Sequence, residues 1–152
     1  MDYRFYMQRA IELARQAAAV GEVPVGALLV RHTGGVDEVV AEAANRTEEV
    51  GSPLAHAELL ALFAAQEKLG ERYLTDCTLV VTMEPCPMCA GALILARVGQ
   101  VVYGCPDSRW GACGSVFNIP EHTASPCKPQ LVGGICEEEC RAVLQEFFRQ
   151  RR

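Results

Sequence analysis

The sequence predicts an α/β protein in which a sheet lies between layers of helix. Three observations carry this. Stretches with apolar residues at helical spacing alternate with short, β-branched apolar runs. Glycine, proline or polar residues punctuate the junctions. The resulting order, α-β-β-α-β-α-β-β-α, interleaves helices with strands, and such elements bury their apolar faces most economically as a sheet sandwiched by helices. No repeat, linker or low-complexity tract interrupts residues 1–152, so a single domain is expected.

Residues 3–20 read as an amphipathic helix through Met7, Ala10, Ile11, Ala14, Ala17 and Ala18, closed by Gly21. Residues 23–31 (V-P-V-G-A-L-L-V-R) form a buried strand, with Pro24 near its start, where a missing N–H does least harm. Gly34 and Gly35 turn the chain into a second strand over 36–43. Residues 45–53 read as a polar loop, and a helix follows from about Ala55 to Leu69, ended by Gly70. T-L-V-V-T-M at 78–83 is a central strand stopped by Pro85. Pro87 can open the next helix, whose first turn needs no N–H there, and that helix runs to Val98 before Gly99. Strands at 101–103 and 131–132 and a closing helix over 136–149 complete the chain, with a loop-rich stretch at 104–129.

Half the residues are hydrophobic and 22% are charged, as in a soluble globular domain. No apolar run is long enough to span a membrane, and the first residues lack the apolar block of a signal peptide, so a cytoplasmic location is the expectation. In such a compartment the eight cysteines point to metal binding or catalysis rather than disulfides. Cys77 reads as core, and Cys136 and Cys140 as small buried hydrophobes on one helix. The net charge of −5 argues against a general nucleic-acid binder, except that Arg149, Arg151 and Arg152 make a basic tail beside two phenylalanines.

The chemistry concentrates in A-H-A-E at 55–58 and T-M-E-P-C-P-M-C-A-G-A at 82–92. His56, Cys86 and Cys89 are three good zinc ligands. A structural zinc site closes with four protein ligands, whereas a catalytic one keeps a position for water. Cys86 and Cys89 fall on the first turn of a helix, where unpaired N–H groups and the helix dipole favour thiolates. Two thiolates cancel the charge of a zinc ion, so its water is less acidified than on a three-histidine site and a neighbouring base would help. Glu58, two residues from His56, does not share its helix face and suits that non-ligating role. C-x-x-C by itself also occurs in redox thiols and zinc knuckles, and a single His is more often structural than a ligand. Both motifs together, each at a helix start, are far more specific.

H-x-E followed by P-C-x-x-C is the established signature of the zinc deaminases, tRNA adenosine deaminases among them. The chain resembles the cytidine deaminase-like zinc deaminase superfamily, and within it the bacterial tRNA-specific adenosine deaminases. G-E-V-P-V-G-A at 21–27, N-R at 45–46, both zinc motifs, G-A-C-G-S at 111–115 and the tail E-C-R-A-V-L-Q-E-F-F-R-Q-R-R carry the likeness, which spans almost the whole chain. The resemblance implies a three-layer α/β/α sandwich around a five-stranded mixed sheet, one zinc per subunit and a homodimer with its site near the interface. It implies hydrolytic deamination of the wobble adenosine to inosine in the anticodon stem-loop of an arginine tRNA, by a zinc-activated water. By position, His56, Cys86 and Cys89 would hold zinc and Glu58 would shuttle protons. Asn45 would bond the target nucleoside, and Asp107 would lie in the loop meeting the next nucleotide. Phe148 and Arg149 would belong to the helix that touches the anticodon loop. Without the likeness, Asn45 reads equally as a loop cap, Asp107 as a turn residue and Phe148 as core. Cys105, Pro106 and Trp110 depart from the family's G-A-x-D-x-K-x-G loop, while Arg109 keeps its positive charge. Trp110 could be a stacking platform or a packing residue.

Two rival readings remain on the residues alone. One is a small-molecule deaminase of the same fold, acting on guanine, cytosine or cytidine. The other is a non-enzymatic zinc or redox module whose site is closed by Cys105 or Cys113.

Overall fold

A computed structural model describes residues 1–151; Arg152, read above as part of the basic tail, lies outside them. Helix α1 (Tyr3–Ala19) leads into strands β1 (Gly26–Thr33) and β2 (Val36–Ala44) and a single-turn helix α2 (Thr47–Val50). Then come α3 (Ala57–Leu69), β3 (Cys77–Met83), α4 (Pro87–Leu95), β4 (Gln100–Cys105), β5 (Gln130–Val132) and α5 (Glu137–Arg149). The sheet runs β2-β1-β3-β4-β5. Strand β1 is antiparallel to β2 and β3, and β3, β4 and β5 are mutually parallel neighbours, so the five-stranded sheet is mixed, as expected.

Period-two alternation builds the three layers. Leu28, Val30, Val80 and Val102 face Met7, Ile11 and Leu144 of α1 and α5. Their neighbours Leu29, Leu79, Val81 and Val101 face Ala57, Ala61, Leu62 and Leu93 of α3 and α4. At β2 the register shifts: Leu29 pairs with Ala41 and Val30 with Val39, leaving Val40 as the extra residue of a bulge. Val40 and Ala41, adjacent in sequence, therefore both bury on the α3 side.

The differences from the expected elements have local causes. The loop over 45–53 contains α2, a helix too short for an apolar period to reveal; it forms because the buried Glu22 carboxylate accepts from the N–H groups of Glu48 and Glu49 at 3.0 and 2.9 Å. β1 starts at Gly26 instead of residue 23, since Val25 N–H turns back onto the Val23 carbonyl. α4 stops at Leu95, not Val98. Arg97 takes a left-handed φ of 55°, and the N–H groups of Arg97 and Val98 bond the carbonyls of Ile94 and Leu93. This is the hydrogen-bond pattern of a glycine-ended helix, made here with arginine.

All eight cysteines are free. Cys77 is buried in the α3-side core, and burial pushes its thiol up to about 12. Cys105 and Cys140 are buried on the α1 side, their thiols pushed up by burial to about 11 and about 12. Cys136, half-buried, precedes α5. Among the described residues, no helix is long and apolar enough to cross a membrane.

Gly26 sets how closely α1 approaches the sheet. A Cβ at this position would lie 2.0 Å from the Ala10 carbonyl oxygen and 2.9 Å from the Ala14 nitrogen, both backbone atoms that cannot swing away. Its own N–H donates to the Thr82 hydroxyl at 3.2 Å, so the strand cannot shift to make room without losing that bond. Gly26→Ala is expected to destabilise the fold by about 3 kcal/mol, the upper end of overpacking costs, read as a lower denaturation midpoint at unchanged slope.

Candidate active site

His56 and Cys86 occupy the N-cap positions of α3 and α4, both in extended conformation, and Cys89 sits on the first turn of α4. The two helix N-termini thus converge. His56 Nδ1 lies 3.5 Å from Cys89 Sγ and 3.7 Å from Cys86 Sγ, and the three ligand atoms fall within 4.8 Å of one another. Zinc bonds of about 2.0 Å to nitrogen and about 2.3 Å to sulfur at tetrahedral angles require edges of roughly 3.5–3.8 Å. The donor set and its spacing therefore fit zinc. No fourth side chain joins this group among the described residues. Cys105 donates instead to the Thr82 carbonyl, and Cys113 packs with Ala90 and Ala112, so neither closes the site.

The electrostatics follow from the two helix ends. The Cys86 thiol is drawn down to about 4, because the Cys89 thiol and His56 donate to it and the Cys89 backbone N–H faces it. Cys89 is correspondingly pushed up, because its thiol proton is held in the hydrogen bond to Cys86 and because it is buried. His56 is raised by the adjacent Cys86, with a smaller contribution from the Pro53 carbonyl. Without metal the two thiols thus hold a proton between them, which metal binding must displace. Glu58 is buried one residue into α3, and burial pushes its carboxyl up, against the pull of its own backbone N–H and of His56. A carboxyl raised in this way, beside a metal ligand set, holds a proton more readily than an exposed one, as a group that takes and gives protons in turn must.

Asn45, also buried, accepts from Ala57 N–H at 2.8 Å through Oδ1. It caps α3 from outside, doing what the His56 side chain does not. Because that N–H can only donate, the amide oxygen must face it, which leaves the Asn45 NH₂ for the cleft.

Glu84 was not singled out by its sequence context, although it lies inside the second zinc motif. It is buried, and its carboxylate accepts from the backbone N–H groups of Asp107 (3.1 Å), Cys113 (3.0 Å) and Ser115 (3.1 Å) and from the Ser115 hydroxyl. A Cβ on Gly111 would stand 2.5 Å from this carboxylate. Asp107 is indeed a turn residue, accepting from the N–H groups of Arg109 and Trp110. The only signal for Glu84 was an acid placed between an apolar strand and a proline, too common to distinguish.

Two clefts meet at Asp107. The first, about 590 Å³, is lined by Asn45, His56, Glu58, Cys86, Asp107 and Trp110. The second, about 710 Å³, shares Val23, Met83 and Asp107 with it and runs past Arg109, Phe148, Arg149 and Arg151. Phe148 is 47% exposed over this groove, so the core assignment that its apolar character alone allows belongs to Phe147 instead. Arg149 pairs with Glu146, whereas Arg109 has no carboxylate partner among the described residues.

Glu84→Gln removes acceptors from an array of donors and sets an amide NH₂ against backbone N–H groups. The expected outcome is loss of the 107–115 loop order and a cost of about 1.5–3 kcal/mol, with zinc content near that of the unaltered chain, measured by thermal melting and metal analysis.

Residues 1–105 match the model of the cytidine and deoxycytidylate deaminase zinc-binding region. The chain is 42% identical over 147 residues to the tRNA-specific adenosine deaminase of Bacillus subtilis, covering 97% of this chain and 89% of that protein. It superimposes, with a TM-score of 0.85 and 36% identity, on a chain solved in a study of A-to-I editing by tRNA:A34 deaminases at the wobble position of transfer RNA, covering 92% of this chain and 99% of that one. A guanine deaminase from Nitrosomonas europaea shares the fold at a TM-score of 0.76 and 28% identity, over 93% of this chain and 81% of that one. A ligand triangle sized for zinc, a buried acid beside it and this extended likeness have one meaning: the chain belongs to the tRNA-specific adenosine deaminase family of the cytidine deaminase-like zinc deaminases.

Proposed function

We propose that the chain converts the wobble adenosine of a tRNA anticodon loop, that of an arginine tRNA, to inosine, with water consumed and ammonia released. One observation carries this reading beyond deamination in general. The zinc cleft opens across Asp107 into a second groove lined by arginines and an exposed phenylalanine. A free base or nucleoside has nothing to place there, whereas a loop of RNA has phosphates and further bases. The guanine deaminase likeness at lower identity supports the common chemistry and not this extension.

When bound, zinc supplies a polarised water of lowered pKa. The chain's own residues do the rest. Buried Glu58 takes a proton from water and delivers it to ring nitrogen-1 of adenine, then carries a second to the departing amine. The Asn45 NH₂, its oxygen held by α3, donates to an acceptor on the base edge. Asp107 marks the junction between the target pocket and the neighbouring nucleotide, and Phe148 and Arg149 face the rest of the loop. The base must leave its stack to enter, which costs less in a loop than in a duplex.

The chain also exposes an apolar patch where Leu95, 75% exposed, adjoins Ile94, Phe117 and Ile119. This patch suits the homodimer that the family likeness implies, and sedimentation equilibrium measures it. A cytoplasmic location goes with this reading.

Glu58→Gln is expected to lower kcat by about 10²–10⁴-fold while zinc stays bound, seen by inosine assay and metal analysis; full activity would remove Glu58 from the mechanism. Arg149→Ala with Arg151→Ala is expected to raise KM for an anticodon stem-loop and to flatten its salt dependence by roughly 0.7 log units per lost contact. Rates on guanine or cytidine that exceed those on the stem-loop, and are unaffected by the arginine changes, would favour the small-molecule reading.

A further inference from the structure

The cleft contains one large side chain that the reaction does not use. Trp110 is the single tryptophan of the chain and is 54% exposed, yet it lines the same cleft as His56, Glu58 and Cys86. Its backbone is held firmly. Trp110 N–H donates to Asp107 Oδ1 at 3.3 Å, Gly111 N–H to the Asp107 carbonyl at 3.0 Å and Ala112 N–H to the Pro85 carbonyl at 2.9 Å. The neighbouring Gly111 has no room for a side chain against Glu84, so this stretch cannot slide. The indole thus projects from one of the most hydrogen-bonded loops in the molecule, not from a free one. Its aromatic neighbour is Phe117, with centroids 5.5 Å apart and planes at 85°. In an edge-to-face pair at least one indole face is left without a ring against it.

Extracting one base from an RNA loop deprives its neighbours of a stacking partner. An aromatic face at the mouth of the pocket replaces that partner, and it does so for any base because every base has a π-face. We propose that Trp110 is the stacking platform for the base of a nucleotide flanking the target adenosine, holding the loop open while that adenosine occupies the zinc cleft. The proposal rests on the RNA-deaminase reading given above. It assigns Trp110 to substrate positioning: the residue acts on the capture of the loop and not on proton transfer.

The test uses the zinc-loaded chain and RNA stem-loops with adenosine at the wobble position, one intact and two with an abasic nucleotide on the 5′ or the 3′ side of it. Trp110→Ala is expected to raise KM for the intact loop roughly 5- to 150-fold, the range for losing one base–aromatic stack, with a smaller change in kcat. Trp110→Phe should restore most of the affinity. One of the two abasic loops should raise KM for the unaltered protein by a similar factor and cause no further loss in Trp110→Ala. Indole emission, which comes from this one residue, should be quenched as the intact loop is added. Inosine formation with unchanged KM in Trp110→Ala overturns the platform and leaves the functional reading standing. So does a loss traced to altered zinc content, melting temperature or oligomeric state. If the unaltered protein makes no inosine, the functional reading fails, and a flat emission titration then removes the platform with it.

Discussion

A single buried carboxylate organises the catalytic end of this molecule. Glu84 leaves β3 one residue after the strand and two residues before Cys86, and it gathers three backbone N–H groups and a hydroxyl from the loop beyond β4. A buried charge is tolerated only when its hydrogen-bonding capacity is met, and here it is met by the segment that walls the cleft. The same residue therefore ties the position of a zinc ligand to the position of Asp107, Trp110 and the mouth of the arginine groove. Glu22 does the equivalent on the other wall. Burial would push its carboxyl up, but the N–H groups of Glu48 and Glu49 and the Thr47 hydroxyl more than offset this and hold it below the usual range. Two carboxylates that never touch the metal thus set the shape of the cleft in which it works.

The charge distribution resolves an apparent conflict. The chain carries a net −5, yet the reaction proposed for it acts on a polyanion. Part of the acidic charge is withdrawn from the surface: Glu22 and Glu84 are buried in hydrogen-bond arrays. The arginines of the second groove are concentrated on one side of Asp107. Recognition of an RNA loop depends on this local field, which is felt over about 10 Å at moderate salt, and not on the total.

The sheet order aside, most of the architecture was legible in the sequence. Alternating Leu28, Leu29 and Val30 announced a strand buried on both faces, and Pro87 marked the start of α4. The ligands were legible because metal chemistry restricts residue type so strongly. What escaped was structure held by contacts distant in sequence. Helix α2 exists through Glu22, far from it in the chain, and α4 ends on Arg97, which carries no glycine signal. Asn45 looked like either a cap or a substrate contact; its oxygen is the cap, and its nitrogen is left for the cleft. Phe147 and Phe148 are indistinguishable in composition and only the helix phase separates core from groove.

The cysteines have a last consequence. Burial holds the thiols of Cys77, Cys105, Cys113 and Cys140 in their protonated, unreactive form, while the metal-free Cys86 is ionised at neutral pH. Electrophiles and peroxides attack thiolates in preference to thiols. Losing zinc would therefore do more than idle the enzyme: it would leave the Cys86 thiolate uncovered by metal, so that metal scarcity and oxidative stress would damage this protein at one and the same sulfur.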